Sequence, residues 1–162
     1  MNYFDLFGLE ASPKVEKTAL NKKYILLQRQ HHPDFHTQLS GAELTAAEEH
    51  AALINKAYKT LMDDQSTLQY FLMGQGLIRE DEKFELPPDF LMEMMELNEA
   101  MEENDAAQAK RTIDDFGITL INTVNHVLNK PVTAISGGEL QALKLYYYKK
   151  KYLDRILDRL KD

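Results

Sequence analysis

Apolar residues recur at helical spacing along nearly the whole chain, and no stretch alternates as a half-buried strand would. Leu20, Tyr24, Leu27 and His31 fall on one side of a helix, whereas Lys17, Lys22, Lys23 and Arg29 lie off that stripe and make its outer surface basic. Pro33 lacks a backbone N–H and disfavours helical geometry at the residue before it, so this helix is predicted to end near His32. His32-Pro33-Asp34 then sits on a turn. Upstream, Tyr3, Phe4, Leu6, Phe7 and Leu9 predict a short apolar element closed near Gly8, and Ser12-Pro13 sets the next helix within a few residues. Downstream, Ala47, Ala51, Ile54, Tyr58 and Leu61 define a third helix, expected to bend or break at Asp63-Asp64 before the apolar run Leu68–Met73. Beyond that run, Gly74, Gly76 and Pro87-Pro88 punctuate the chain and mark a linker.

The second half predicts three antiparallel helices, over about 88–103, 105–129 and 138 to the end. Ile113, Phe116, Leu120, Val124 and Val127 give the middle one its buried stripe. Leu145, Tyr148, Tyr152 and Ile156 are the expected inner stripe of the last, and Gly137-Gly138 reads as the turn before it. On the first, Phe90, Met94, Leu97 and Met101 fall within about 60° of one another, a sufficient core face. Leu91 and Met95 lie well round from that face. Met92 points nearly opposite it and shares its side with Glu96, Glu99 and Glu103. Two readings stay open: edge packing with one ordinary exposed methionine, or a partner-binding patch in which methionine supplies adaptable apolar surface. Leu140, Leu143 and Tyr147, also away from their helix's inner stripe, would extend such a patch.

Charge and composition narrow the chemistry. The 162 residues carry a net charge of −7, which argues against a general nucleic-acid binder. The charge is uneven: Glu80 to Asp115 holds 13 acidic and 3 basic residues, Lys144 to Asp162 holds 7 basic and 3 acidic. The absence of cysteine excludes disulfides, thiolate metal sites and a cysteine nucleophile. No run is long and apolar enough for a membrane span, and the first residues carry no secretory signal. His32 and His36 have a metal-pair spacing, but Pro33 between them breaks the helix that would align them. His31 reads as a packing residue, and His50 and His126 as isolated surface or boundary positions. A His32–Asp34 pair has no accompanying nucleophile, phosphate-cradling loop or glycine-rich motif, so no catalytic residue, metal or cofactor is expected.

Tyr3-Phe4-Asp5-Leu6-Phe7-Gly8-Leu9, a basic helix, His32-Pro33-Asp34 and Ile54-Asn55-Lys56-Ala57-Tyr58 together resemble a J-domain. Tyr70-Phe71-Leu72, Gly76, a short linker and an acidic three-helix bundle extend the resemblance, over the whole chain, to the HscB family, J-type co-chaperones of iron–sulfur cluster assembly. The resemblance implies an all-α, L-shaped protein with a J-domain at 1–75, a linker at 76–87 and a scaffold-binding domain at 88–162. It implies that His32, Pro33 and Asp34, with Lys22, Lys23 and Arg29, meet a DnaK/HscA-type heat-shock chaperone and stimulate its ATPase. Leu91, Met92, Met95, Glu96, Glu99, Glu103 and Tyr147 are then the contacts to an IscU-type iron–sulfur scaffold protein. Because the chain starts directly at the J-domain, as bacterial members do, a bacterial cytoplasmic setting is expected, without nucleic acid or membrane. Two alternatives are a J-domain co-chaperone of another pathway with a different client, and a helical interaction protein that stimulates no ATPase.

Overall fold

A computed structural model describes residues 2–31, 38–103 and 105–161, and these residues contain helices and no strand. The helices are α1 (Tyr3–Leu6), α2 (Lys17–Gln30), α3 (Ala42–Met62), α4 (Asp64–Gly74), α5 (Pro88–Glu103), α6 (Ala106–Asn122), α7 (Asn125–Leu128) and α8 (Gly137–Lys161). None is long and apolar enough to cross a membrane. The chain divides into two compact units, Met1–Phe71 with Pro131–Thr133, and Leu72–Lys130 with Ala134–Asp162.

The first unit is built on α2 and α3, with α1 against α3. Its core is Phe4, Phe7, Leu20, Ile54, Leu61 and Phe71, each at most 3 % exposed. α1 ends in a Schellman turn: Leu9 N–H reaches Phe4 O and Gly8 N–H reaches Asp5 O, with Gly8 at φ +61, a conformation that needs glycine. The Tyr3 ring stacks on Tyr70 at 4.4 Å, and the Tyr3 N–H donates to the Tyr70 hydroxyl at 2.9 Å. Tyr24 stacks on Tyr58 at 3.7 Å and donates to Asn55 at 2.7 Å, so α2 and α3 are fixed in register midway along their length. Within the same unit, Val132 N–H donates to Ala11 O at 2.8 Å.

α2 starts at Glu16, whose carboxylate caps Ala19 N–H and Thr18 N–H at 2.7 and 3.1 Å. It ends at Gln30 with His31 as the cap, as the proline predicts. The break between α3 and α4 falls at Asp63, where the carboxylate accepts from the Ser66 N–H and hydroxyl, both at 2.8 Å. Those two donors hold the Asp63 carboxyl below its usual range, Ser66 N–H contributing most. α4 closes with a second Schellman turn around Gly76, at φ +73.

In the second unit α6 packs against α8, and α5 against both. Phe90, Met94, Ile113, Leu143, Leu153 and Ile156 lie in its core. The middle helix is not continuous to Asn129: it stops at Asn122, and α7 restarts at Asn125. The Thr123 hydroxyl donates back to Leu120 O at 2.7 Å and the local N–H groups make tightened turns, which compete with the helical ladder.

Two expectations for the last helix need correction. Gly137-Gly138 is its first turn rather than a preceding loop, because Ser136 and Glu139 form a capping box: Glu139 N–H donates to Ser136 Oγ at 3.1 Å and Ser136 N–H to Glu139 Oε1 at 3.0 Å. The buried face is also turned by roughly 100°, about one residue's worth of helix. Leu143, Tyr146, Tyr147, Leu153 and Ile156 are buried, while Leu145, Tyr148 and Tyr152 are only half-buried. α6 sets that phase; Tyr148 and Tyr152 face Phe84 and Phe90 instead, at 4.3 and 6.0 Å.

The capping box gives a pH prediction. The Ser136 N–H and then the Lys130 ammonium pull the Glu139 carboxyl from its ordinary 4.5 to about 2. A carboxyl depressed on folding stabilises above its unfolded pKa and loses that contribution as pH falls through the folded value. Thermal unfolding of the wild type should therefore drop between about pH 4.5 and 2 more steeply than that of Glu139→Gln, whose curve should be flatter there. Equal slopes would mean that this contact adds nothing to stability.

Candidate functional site

α5 begins at Pro88, the position where a missing N–H costs nothing, and Leu91 N–H makes its first bond, to Pro87 O at 3.1 Å. Phe90, Met94 and Leu97 are 3 %, 0 % and 6 % exposed, which fixes the helix's rotation. Phe90 lies 6.1 Å from Phe116, and the Lys149 ammonium sits 5.4 Å over its ring. With that face down, Met92 and Met95 stand out at 62 % and 63 % exposure and Leu91 at 38 %. Glu96, Glu99 and Glu103 are exposed on the same side, and among the described residues no cation lies within ion-pair distance of them. Edge packing is therefore excluded for the two methionines within their unit. The outer stripe is an apolar strip with a carboxylate margin.

Tyr147 does not share this surface. It is 4 % exposed, Leu143 is 0 % exposed, and burial pushes the Tyr147 hydroxyl pKa up. Both belong to the core face of α8, so they do not extend the patch; Leu140 is half-buried.

His32, Pro33, Asp34 and His36 lie outside the described residues, but the helix leading to them is described. Lys22 and Arg29 are exposed on α2. Lys23 is used internally, its ammonium donating to Gly8 O at 3.1 Å, and Lys17 likewise bonds Leu61 O at 3.1 Å and Asp64 at 2.7 Å. The outward face thus carries fewer cations than the sequence pattern suggests. It also carries Ile25 and Leu26, 51 % and 55 % exposed, between Lys22 and Arg29. The sequence reading missed this pair, although its signal was there: two adjacent aliphatic residues off the Leu20–Tyr24–Leu27 stripe. His50 and His126 are not isolated. The His50 ring meets His31 edge-on at 4.8 Å, and His126 Nε2 lies 3.7 Å from Glu139. Among the described residues no cluster of three His, Asp or Glu side chains has the arrangement of a metal site.

Known proteins place this geometry. Residues 2–70 match the DnaJ domain model, and residues 86–161 match the model described as the HSCB C-terminal oligomerisation domain. The chain is 30 % identical over 161 residues to the iron-sulfur cluster co-chaperone protein HscB of Mus musculus, an alignment covering 99 % of this chain and 68 % of the mouse protein. It is also 30 % identical over 169 residues to the co-chaperone protein HscB homolog of Vibrio parahaemolyticus, covering 99 % of each. The crystal structure of human co-chaperone protein HscB superimposes with a TM-score of 0.79 at 28 % identity, over 99 % of this chain and 81 % of that one.

Proposed function

Because the chain belongs to the HscB family of iron–sulfur cluster co-chaperones, we propose that it joins an IscU-type scaffold protein to a DnaK/HscA-type heat-shock chaperone and stimulates the chaperone's ATPase. The observation that carries this reading is the outer stripe of α5: Leu91, Met92 and Met95 exposed beside Glu96, Glu99 and Glu103, over a separate buried face. A core helix gains nothing from that second apolar stripe, whereas a partner gains an adaptable apolar centre with a polar rim. The scaffold is the proposed occupant. Tyr147 is left out of the contact set, because a side chain 4 % exposed has almost no surface to offer.

The chaperone is assigned to the other unit, with His32, Pro33 and Asp34 as the stimulating triplet. Lys22, Ile25, Leu26 and Arg29 are the helical face beside it, two cations for steering and two aliphatic residues for contact. Lys23 acts on its own unit through Gly8 O. The nucleotide chemistry belongs to the chaperone, and this chain supplies binding surfaces without catalytic residue, metal or cofactor. Functional boundaries of 1–75, 76–87 and 88–162, and a bacterial cytoplasmic setting, complete the proposal. The end-to-end match to a Vibrio relative supports that setting.

Steady-state ATPase measurements on the chaperone, with and without scaffold, test the reading. The chain should raise turnover alone, and further with scaffold. No stimulation in either condition would overturn it. Reversing Lys22 and Arg29 to glutamate should weaken the coupling several-fold, and added salt should do the same to the wild type, since exposed charges are screened beyond ~8 Å near physiological ionic strength. A flat salt response would remove the steering role. Lys23→Met should instead lower stability by about 1 kcal/mol, the scale of one hydrogen bond, as read from denaturant unfolding.

A further inference from the structure

We infer that the cleft between residues 82–86 and α8 is a second docking site, for an extended segment of a partner protein that carries alternate carboxylate side chains. From Glu82 to Leu86 the chain belongs to no helix and is fastened to α8. Glu82 accepts from the Tyr148 hydroxyl at 2.8 Å and from the Lys144 ammonium at 3.1 Å, and Phe84 stacks flat on Tyr148. Beside this contact lies a cleft of about 330 Å³ whose walls include Lys83, Leu86, Lys151, Tyr152 and Arg155.

Charge and backbone point to the same occupant. Glu82 is the one carboxylate in the cleft wall, and Lys144 and Tyr148 occupy it; those two contacts hold its pKa below the usual range. Lys83, Lys151 and Arg155 have no carboxylate within ion-pair distance among the described residues, in a chain whose net charge is −7. Independently, no N–H or C=O of Lys83, Phe84, Glu85 or Leu86 bonds to the rest of the described protein. Backbone donors and acceptors not spent on the rest of the described protein can pair with an added extended chain.

Spacing favours a peptide over a phosphate. Lys151 and Arg155 are four residues apart on α8, about 6 Å along the axis. Alternate side chains of an extended peptide repeat at about 6.6 Å and point the same way. The remaining walls of the cleft are Phe84, Leu86 and Tyr152. The site is separate from the α5 stripe and does not depend on the scaffold assignment.

The test uses the full chain, labelled with ¹⁵N, and a fluorescent octapeptide of alternating glutamate and threonine. The peptide should bind, with the largest amide shifts at Lys83–Leu86. Its glutamine–threonine counterpart should bind at least tenfold more weakly. The double variant Lys151→Glu, Arg155→Glu should lose at least tenfold in affinity with an unchanged melting temperature. Should that variant unfold, Lys83→Glu, exposed on the 82–86 segment, should show a several-fold loss. The proposal is overturned if the peptide does not bind, if its shifts fall on α2, or if folded charge-reversed variants bind it equally well. It is overturned too if inorganic pyrophosphate displaces the peptide at equal concentration, since the cleft would then be a simple anion site.

Discussion

Replacing Leu91, Met92 and Met95 together with alanine should cost the scaffold complex several kcal/mol, at roughly 2 kcal/mol or more for each residue that acts as a hot spot. The same change should barely move the melting temperature. Met92 and Met95 are more than three-fifths exposed and Leu91 is 38 % exposed, so truncation removes little buried contact. Leu97→Ala is the internal comparison. At 6 % exposure it leaves a cavity and should cost about 2–5 kcal/mol of folding stability. Stimulation of the chaperone ATPase without scaffold should survive in the triple variant. Calorimetric titration with the scaffold protein, paired with denaturant unfolding, separates the outcomes. A triple variant as unstable as Leu97→Ala would make the stripe core, and full-strength binding by a stable variant would move the client site elsewhere.

His32→Gln should abolish ATPase stimulation altogether while scaffold affinity and helicity stay at wild-type levels. The residue follows a helix whose described end is already closed, with the His31 N–H bonded to Leu27 O at 3.0 Å, so helix α2 does not depend on it. Its proposed partner is the chaperone, not the α2–α3 core. The ATPase assay, circular dichroism and scaffold titration on one preparation read all three quantities. Loss of helicity would make His32 structural; retained stimulation would remove the triplet from the mechanism.

Where one side of a helix was apolar and the other charged, periodicity read the packing correctly. α5 is the clearest case: Phe90, Met94 and Leu97 went inside and Met92 and Met95 outside, because a 3.6-residue repeat leaves such a helix one orientation. Helix ends marked by special backbone needs were equally legible. Gly8 and Gly76 sit where the chain requires positive φ, Pro33 follows closely on the end of α2, and Asp63 separates α3 from α4.

Packing decided what periodicity left degenerate. α8 carries Leu143, Leu145, Tyr146, Tyr147, Tyr148 and Tyr152, apolar or aromatic residues around most of its circumference, so several phases satisfy the pattern. The fold buried Leu143 and Tyr147 and left Tyr148 to Phe84, a neighbour from a segment that no local rule would place there. Charges behaved likewise. Lys22 and Lys23 look alike in the chain, yet Lys23 is drawn to Gly8 O, fifteen residues away, while Lys22 stays on the surface. A side chain's propensity is local, whereas the carbonyl that captures its ammonium arrives only when distant segments meet. For that reason the two helical cores and the exposed stripe of α5 were written in residue order. Which cations and tyrosines remain available to a partner was set by the folded neighbours.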